Sequence, residues 1–270
     1  TFLFNQAEFG LGCPINVTDG CAKLLNNFGS EALKAKYLDG LTQTDMSKLT
    51  QGGQFMTEKE GGSDVGTLTT RAVQEGDHWR LHGEKWFCSN ADAKVVMLLA
   101  RPEGAGPGTR GVGLFLMPRY LDDGSQNHYR IVRLKDKLGT RSMASGEIKF
   151  EGAIAYAVGK LDRGFVQMAE MVNSSRLSNG VKSTALMRRA HHDAMTVARN
   201  RVVFGQRIID LPLARRQLMK IALPTEQALS MSFLTADALD RAEDPLHRAP
   251  APLRGRGRHV ALSFAAQAAA

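Results

Sequence analysis

Apolar and polar positions change their period twice along this chain. From residue 1 to about 52 they fall into short helical patches. Leu24, Leu25 and Phe28 cluster before Gly29, and Ser30-Glu-Ala-Leu-Lys-Ala-Lys-Tyr-Leu opens on a residue suited to an N-cap and stops at Gly40. Helices this short cannot bury their own apolar faces, so they need partners.

From about 54 to 155 the period shortens to that of strands. Thr69 to Gln74, the turn Glu75-Gly-Asp-His and Trp79 to Gly83 predict a hairpin, and Glu84 to Ser89 a further strand. Lys94 to Ala100 and Gly111 to Met117 are apolar runs bounded by Gly and Pro. His128 to Leu134 and Glu147 to Phe150 complete about seven strands with no long helix between them, which predicts an antiparallel barrel or sandwich.

Helical spacing returns near 163 with Phe165, Met168, Ala169, Met171 and Val172. Arg176 to Arg201 predicts one long amphipathic helix, and Leu213 to Arg241 a second, interrupted at Pro224. After Asp244-Pro245 the periodicity is lost in an Ala/Pro/Arg/Gly-rich stretch. The predicted class is α+β: a partial helical domain over 1–52, a central β-domain over 53–157, part of a long-helix bundle over 158–244, and an aberrant or disordered tail over 245–270.

The chain has 270 residues and a formal charge of +8. Four of those charges are Arg248, Arg254, Arg256 and Arg258 in the acid-free tail, so the body is only mildly basic and suits an acidic small ligand as well as it suits nucleic acid. Three cysteines, Cys13, Cys21 and Cys88, are too few for a disulfide framework, which favours a reducing, cytoplasmic setting. There is no apolar run long enough to cross a membrane and no signal-peptide pattern, so no membrane partner is expected. His191-His192-Asp193 diverges around a helix and reads as a solvated face, so no metal is expected. Gly104 to Gly111 is glycine-rich, but Pro107 interrupts it and a strand follows, so it predicts a hairpin loop and not a phosphate cradle.

The segment Phe55-Met-Thr-Glu-Lys-Glu-Gly-Gly-Ser-Asp-Val65 collects hydroxyls, acids and a Gly pair in one turn-rich loop at the edge of the predicted sheet, suited to a flat ligand with a polar rim. This loop resembles the signature loop of the acyl-CoA dehydrogenases. Lys85-Trp-Phe, Lys135-Asp-Lys-Leu-Gly and Ala185-Leu-Met-Arg-Arg-Ala follow in the family's order and are similar to its AidB-like adaptive-response branch. The resemblance spans about Cys13 to Asp244, and implies a chain incomplete at both ends whose tail reads like out-of-frame translation.

The resemblance implies an FAD site. Met56 and Thr57 would meet the pyrimidine edge of the flavin, and Ser63 its pyrophosphate side or the acyl-CoA chain. Phe87 stands where the family has a Trp against the ring, and Ser89 where it has a Thr near N5. Strand alternation sets Trp86 on the face opposite Phe87. Arg201 and Phe204, in Arg201-Val-Val-Phe-Gly-Gln-Arg-Ile208, would reach the ADP half of an FAD held by a neighbouring subunit, which implies a homo-oligomer, a tetramer in relatives. Arg176 would border the acyl-CoA. Ser175 stands where some relatives carry a catalytic Glu, so no catalytic residue is assigned. The implied reaction is α,β-dehydrogenation of an acyl-CoA or similar thioester with hydride passing to FAD. The alternatives are a DNA-associated protein of the alkylation response, whose duplex-binding region is absent here, and a non-functional truncated product.

Overall fold

The computed structural model describes residues 1–243; the stretch 245–270, expected to be an aberrant tail, lies outside the described residues. Three helices come first: α1 (Phe2–Asn5), α2 (Gly12–Phe28) and α3 (Glu31–Leu41). Seven strands follow: β1 (Gly52–Phe55), β2 (Arg71–Glu75), β3 (His78–Ser89), β4 (Val95–Pro102), β5 (Gly113–Pro118), β6 (Tyr129–Leu134) and β7 (Ser145–Ala157). Helix α4 (Gly164–Asn200), the short strands β8 (Val202–Val203) and β9 (Gln206–Arg207), and helix α5 (Pro212–Glu243) complete the order. The backbone divides into two compact units, Cys13–Ser174 and a second formed by Thr1–Gly12 with the residues from Ser175 onward.

In the first unit the pairings β3–β2, β2–β4, β4–β5, β5–β7 and β7–β3 close a five-stranded ring, so the α+β plan takes the barrel form and not the sandwich. β1 lies beside β3 and β4, and β6 extends the edge of β7. The ladder is not antiparallel throughout, as the sequence had suggested. β1 runs parallel to β4 from Gly52↔Val95 to Phe55↔Leu98, and β2 runs parallel to it at Arg71↔Arg101 and Ala72↔Pro102. β1 and β2 thus occupy successive stretches along one strand, and residues 56–69 leave β4 between them.

The two strands expected at Trp79–Gly83 and Glu84–Ser89 are one strand of 12 residues. Gly83 has φ +134, and a Cβ there would lie 2.9 Å from Thr70 Cα. The glycine marks a close approach inside the strand, where the sequence suggested a break. β4 reads as continuously apolar because both of its faces are covered. Val95, Met97 and Leu99 pack with Leu24 and Leu25 of α2 and Met168 and Met171 of α4, whereas Val96, Leu98 and Ala100 point into the barrel with Phe55, Phe115 and Phe150. Ser30 caps α3 as expected, its hydroxyl accepting from Leu33 N–H at 3.3 Å.

In the second unit, α5 runs through Pro224 without the expected interruption. Proline removes only the one N–H that would reach back four residues, and the helix continues on either side of it. Thr184 of α4 and Ser232 of α5 share a buried hydroxyl–hydroxyl bond of 2.9 Å, Arg188 pairs with Glu226 at 2.9 Å, and Phe2 meets Phe233 edge-on at 5.8 Å between centroids. No helix among the described residues is long and apolar enough to cross a membrane.

Candidate functional site

β1 ends at Phe55, and the loop that follows stays zipped to β3 for two more residues. Gln54 pairs antiparallel with Ser89. Continuing that register sets Met56 across from Phe87 and Thr57 across from Trp86, and the Trp86 N–H donates to the Thr57 carbonyl at 2.8 Å. Four of the residues singled out in the sequence therefore come together: Met56, Thr57, Phe87 and Ser89. Met56, Thr57 and Ser89 are half-buried, while Phe87 is 48% exposed. Among the described residues, the amide N–H groups of Met56 and Thr57 and the hydroxyls of Thr57 and Ser89 have no hydrogen-bond partner. An open aromatic face beside four donors suits a flat ring with acceptors along its edge.

Two groups the sequence reading passed over hold this loop in place. Glu58, one residue past Thr57, is 6% exposed and takes its bonds from inside the barrel wall. Its carboxylate accepts from Thr69 N–H (2.6 Å) and hydroxyl (2.9 Å), Thr70 N–H (3.2 Å) and hydroxyl (2.5 Å), and Lys85 Nζ (2.7 Å). Lys85 also donates to the Met56 carbonyl at 3.3 Å. Burial pushes the Glu58 carboxyl up, but the Lys85 charge and these hydrogen bonds outweigh it and hold its pKa at about 2. Burial draws Lys85 below the ordinary lysine value, opposed by Glu58.

The expectation that Trp86 and Phe87 point to opposite faces is corrected. β3 pairs with β7 at Lys85↔Ile148 and next at Cys88↔Gly146, so Trp86 and Phe87 together oppose the single residue Glu147. This bulge breaks the alternation, and both rings reach the same ammonium: Lys135 Nζ lies 3.0 Å from the Trp86 centroid and 4.7 Å from that of Phe87.

Ser63 sits exposed at the far end of the loop. The loop's return is tied down by Arg101, whose guanidinium donates to the Gly66 carbonyl at 2.6 Å and also to the Gly106 carbonyl. Arg101 thereby joins the signature loop to the glycine-rich β4–β5 hairpin connection around a groove of about 540 Å³ that Asp64, Thr67 and Gly108 also line. Arg176, Arg201 and Phe204 belong to the second unit, and Arg176 and Arg201 are exposed. The segment from Arg201 is not a plain helix end: β8 and β9 form a hairpin whose turn, Phe204-Gly205, has φ +52 and +76 and leaves Phe204 94% exposed. His191-His192-Asp193 lies on α4, where Asp193 pairs with Arg189 at 2.9 Å.

Residues 53–153 match the family model described as acyl-CoA dehydrogenase, middle domain, and residues 162–269 match that of the acyl-CoA dehydrogenase C-terminal domain. The chain belongs to the acyl-CoA dehydrogenase family. It is 39% identical over 251 residues to acyl-CoA dehydrogenase family member 11 of Caenorhabditis elegans, covering 90% of this chain and 41% of that one. It is 38% identical over 255 residues to the putative acyl-CoA dehydrogenase AidB of Escherichia coli, covering 90% and 45%. The solved structure of C. elegans ACDH-11 in complex with C11-CoA superposes with a TM-score of 0.85 at 37% identity, over 93% of this chain and 43% of that one. The chain thus spans less than half the length of these relatives. The match to the C-terminal domain extends to residue 269, through the span that the loss of periodicity had marked as a tail.

Glu58, Lys85, Arg101 and Lys135 were not singled out in the sequence. Glu58 and Lys85 lie in motifs that marked the family but carried no sign of their pairing, because a lysine in an alternating strand ordinarily faces water. Lys135 lies in a motif that marked the family but assigned the residue no role. Arg101 sits beside a Pro-Glu-Gly turn that reads as surface.

Proposed function

We propose that this chain is the flavin-binding part of an FAD-dependent acyl-CoA dehydrogenase. The observation that carries the reading is the register that sets Met56 against Phe87, with open donors on Met56, Thr57 and Ser89 around an exposed ring. Met56 and Thr57 would hold the pyrimidine edge of the isoalloxazine through their amides and the Thr57 hydroxyl, and Phe87 would stack on the ring. The Ser89 hydroxyl would donate at N5. FAD bound there would supply the hydride acceptor. Oriented N–H donors at the pyrimidine edge favour the negative charge that gathers there on reduction. Ser63 would border the thioester substrate, and Arg201 and Phe204 the ADP half of an FAD in a homo-oligomer. The substrate class is an acyl-CoA, supported by the C. elegans relative solved with C11-CoA. The setting is cytoplasmic, supported by three cysteines that form no disulfide with one another.

The test is the visible spectrum of the purified chain after addition of FAD and gel filtration. Retained, perturbed flavin absorption that is bleached by an acyl-CoA is the expected result. Elution of all the flavin in the small-molecule fraction sinks the reading.

A further inference from the structure

We propose that Lys135 is a positioning residue: clamped by Glu147, its ammonium group fixes how the β3 bulge presents Phe87, and so sets the orientation and affinity of the flavin. The inference rests on the flavin reading above and adds to it a residue that touches neither cofactor nor substrate.

The argument begins with Glu147. On one side of it, Trp86 and Phe87 of β3 crowd against a single β7 position. On the other side, β6 shifts register at the same place, passing from Ile131↔Ile148 to Arg133↔Glu147 with Val132 left over. Glu147 therefore sits between two bulges. A bulge re-aims side chains but does not by itself choose their rotamers. Two adjacent rings on such a segment need something to pack against.

Lys135 supplies it. Its backbone N–H is held by the Ser145 carbonyl at 2.8 Å, and its Nζ lies 2.6 Å from Glu147 Oε1 with the side chain 9% exposed. From that fixed point the ammonium contacts both rings, at 3.0 and 4.7 Å from their centroids. Arg133 shares Glu147 at 2.7 Å, but it meets the Trp86 ring alone, at 5.8 Å, as does Lys59 at 5.0 Å. Among the described residues, Lys135 is the one cation in contact with the ring pair as a whole. A buried ammonium against a π-face is a directional contact. It holds Trp86 inward and leaves the outer face of Phe87, the exposed ring of the pair, for a ligand.

The test compares wild type with Lys135→Met and Lys135→Arg. The readouts are FAD affinity by fluorescence titration, visible circular dichroism of the bound flavin, acrylamide quenching of tryptophan emission in the flavin-free protein, and thermal unfolding. Lys135→Met is expected to weaken FAD about tenfold, change the flavin dichroism and raise quenching, while Lys135→Arg restores all three to near wild type. Wild-type affinity and dichroism in Lys135→Met overturn the proposal. So does an equal loss in both variants that tracks a fall in melting temperature, since that marks a merely structural role. If Lys135→Met does not fold, Lys135→Gln, which can still bond Glu147 but carries no charge to the rings, is expected to show the same loss. If wild type takes up no FAD, the flavin reading itself fails and takes the positioning role with it. Quenching in the flavin-free protein then still reports whether Lys135 holds Trp86.

Discussion

Lys85 Nζ lies 2.7 Å from Glu58 Oε1 with both side chains shut away from solvent, so the first acid of the signature loop is pinned to the strand that carries Phe87. The pair is local in space but 27 residues apart in sequence. It fixes the two walls of the proposed flavin edge against each other before any ligand arrives.

Removing one partner leaves the other charged and buried. Lys85→Met should destabilise the chain by roughly 3–5 kcal/mol in urea unfolding, whereas the double variant Glu58→Gln/Lys85→Met should recover part of that loss. Additive losses in the double variant would count against a coupled pair.

The same pair predicts an acid limb. Glu58 is held at about 2, below its ordinary value of 4.5. A carboxyl depressed in the folded state contributes stability that is complete above its unfolded value and is lost as pH falls toward the folded one. Wild type should therefore lose stability between pH 4.5 and about 2. Glu58→Gln, which cannot titrate there, should show a shallower decline in urea midpoint over that window. Parallel profiles for the two proteins would remove Glu58 from the acid transition.

Phe87 offers nearly half its surface to solvent, so truncating it should cost binding more than folding. Phe87→Ala is expected to lower unfolding stability by only about 1 kcal/mol while weakening FAD about tenfold. Phe87→Trp should retain the cofactor. A Phe87→Ala variant that binds FAD as wild type does would move the stacking surface elsewhere.

The two long helices carry an asymmetric hydroxyl pair. Thr184 donates its single hydroxyl hydrogen to the Gly180 carbonyl at 3.0 Å and so accepts from Ser232, whose hydroxyl relies on Thr184. Ser232→Ala should therefore cost about 1 kcal/mol or less, and Thr184→Val, which strands a buried Ser232 hydroxyl, about 1–3 kcal/mol. The double variant should be milder than Thr184→Val alone in chemical denaturation. A larger cost for Ser232→Ala would reverse which of the two hydroxyls depends on the other.

Much of this was legible in the sequence because it is local. The N-cap at Ser30, the long helices and the double-faced run Val95–Ala100 each follow from nearest neighbours along the chain. The signature loop also stood out by composition, and Phe87 and Ser89 by the resemblance to the family. What remained hidden depends on pairing across distance. The parallel runs of β1 and β2 along β4 leave no mark in either strand's own alternation. Gly83 looked like a terminator because its neighbour in space, Thr70, is invisible to its neighbours in sequence. The Trp86–Phe87 bulge arises from Glu147 on another strand, so period-2 counting placed the two rings apart. Lys85 is the sharpest case: a lysine becomes an interior residue only when its carboxylate is already in place.

β1 and β2 sit end to end along β4, and the loop between them departs from and rejoins that one strand. An excursion of this kind is decoupled from the bookkeeping of the barrel: its outermost stretch, between Lys59 and Asp64, can gain or lose residues without changing which strand position faces which. The anchors at Glu58 and Gly66 would hold through such changes. That gives the fold a place where ligand preference can be rewritten by insertion and deletion, while the closed ring behind it inherits none of the disturbance.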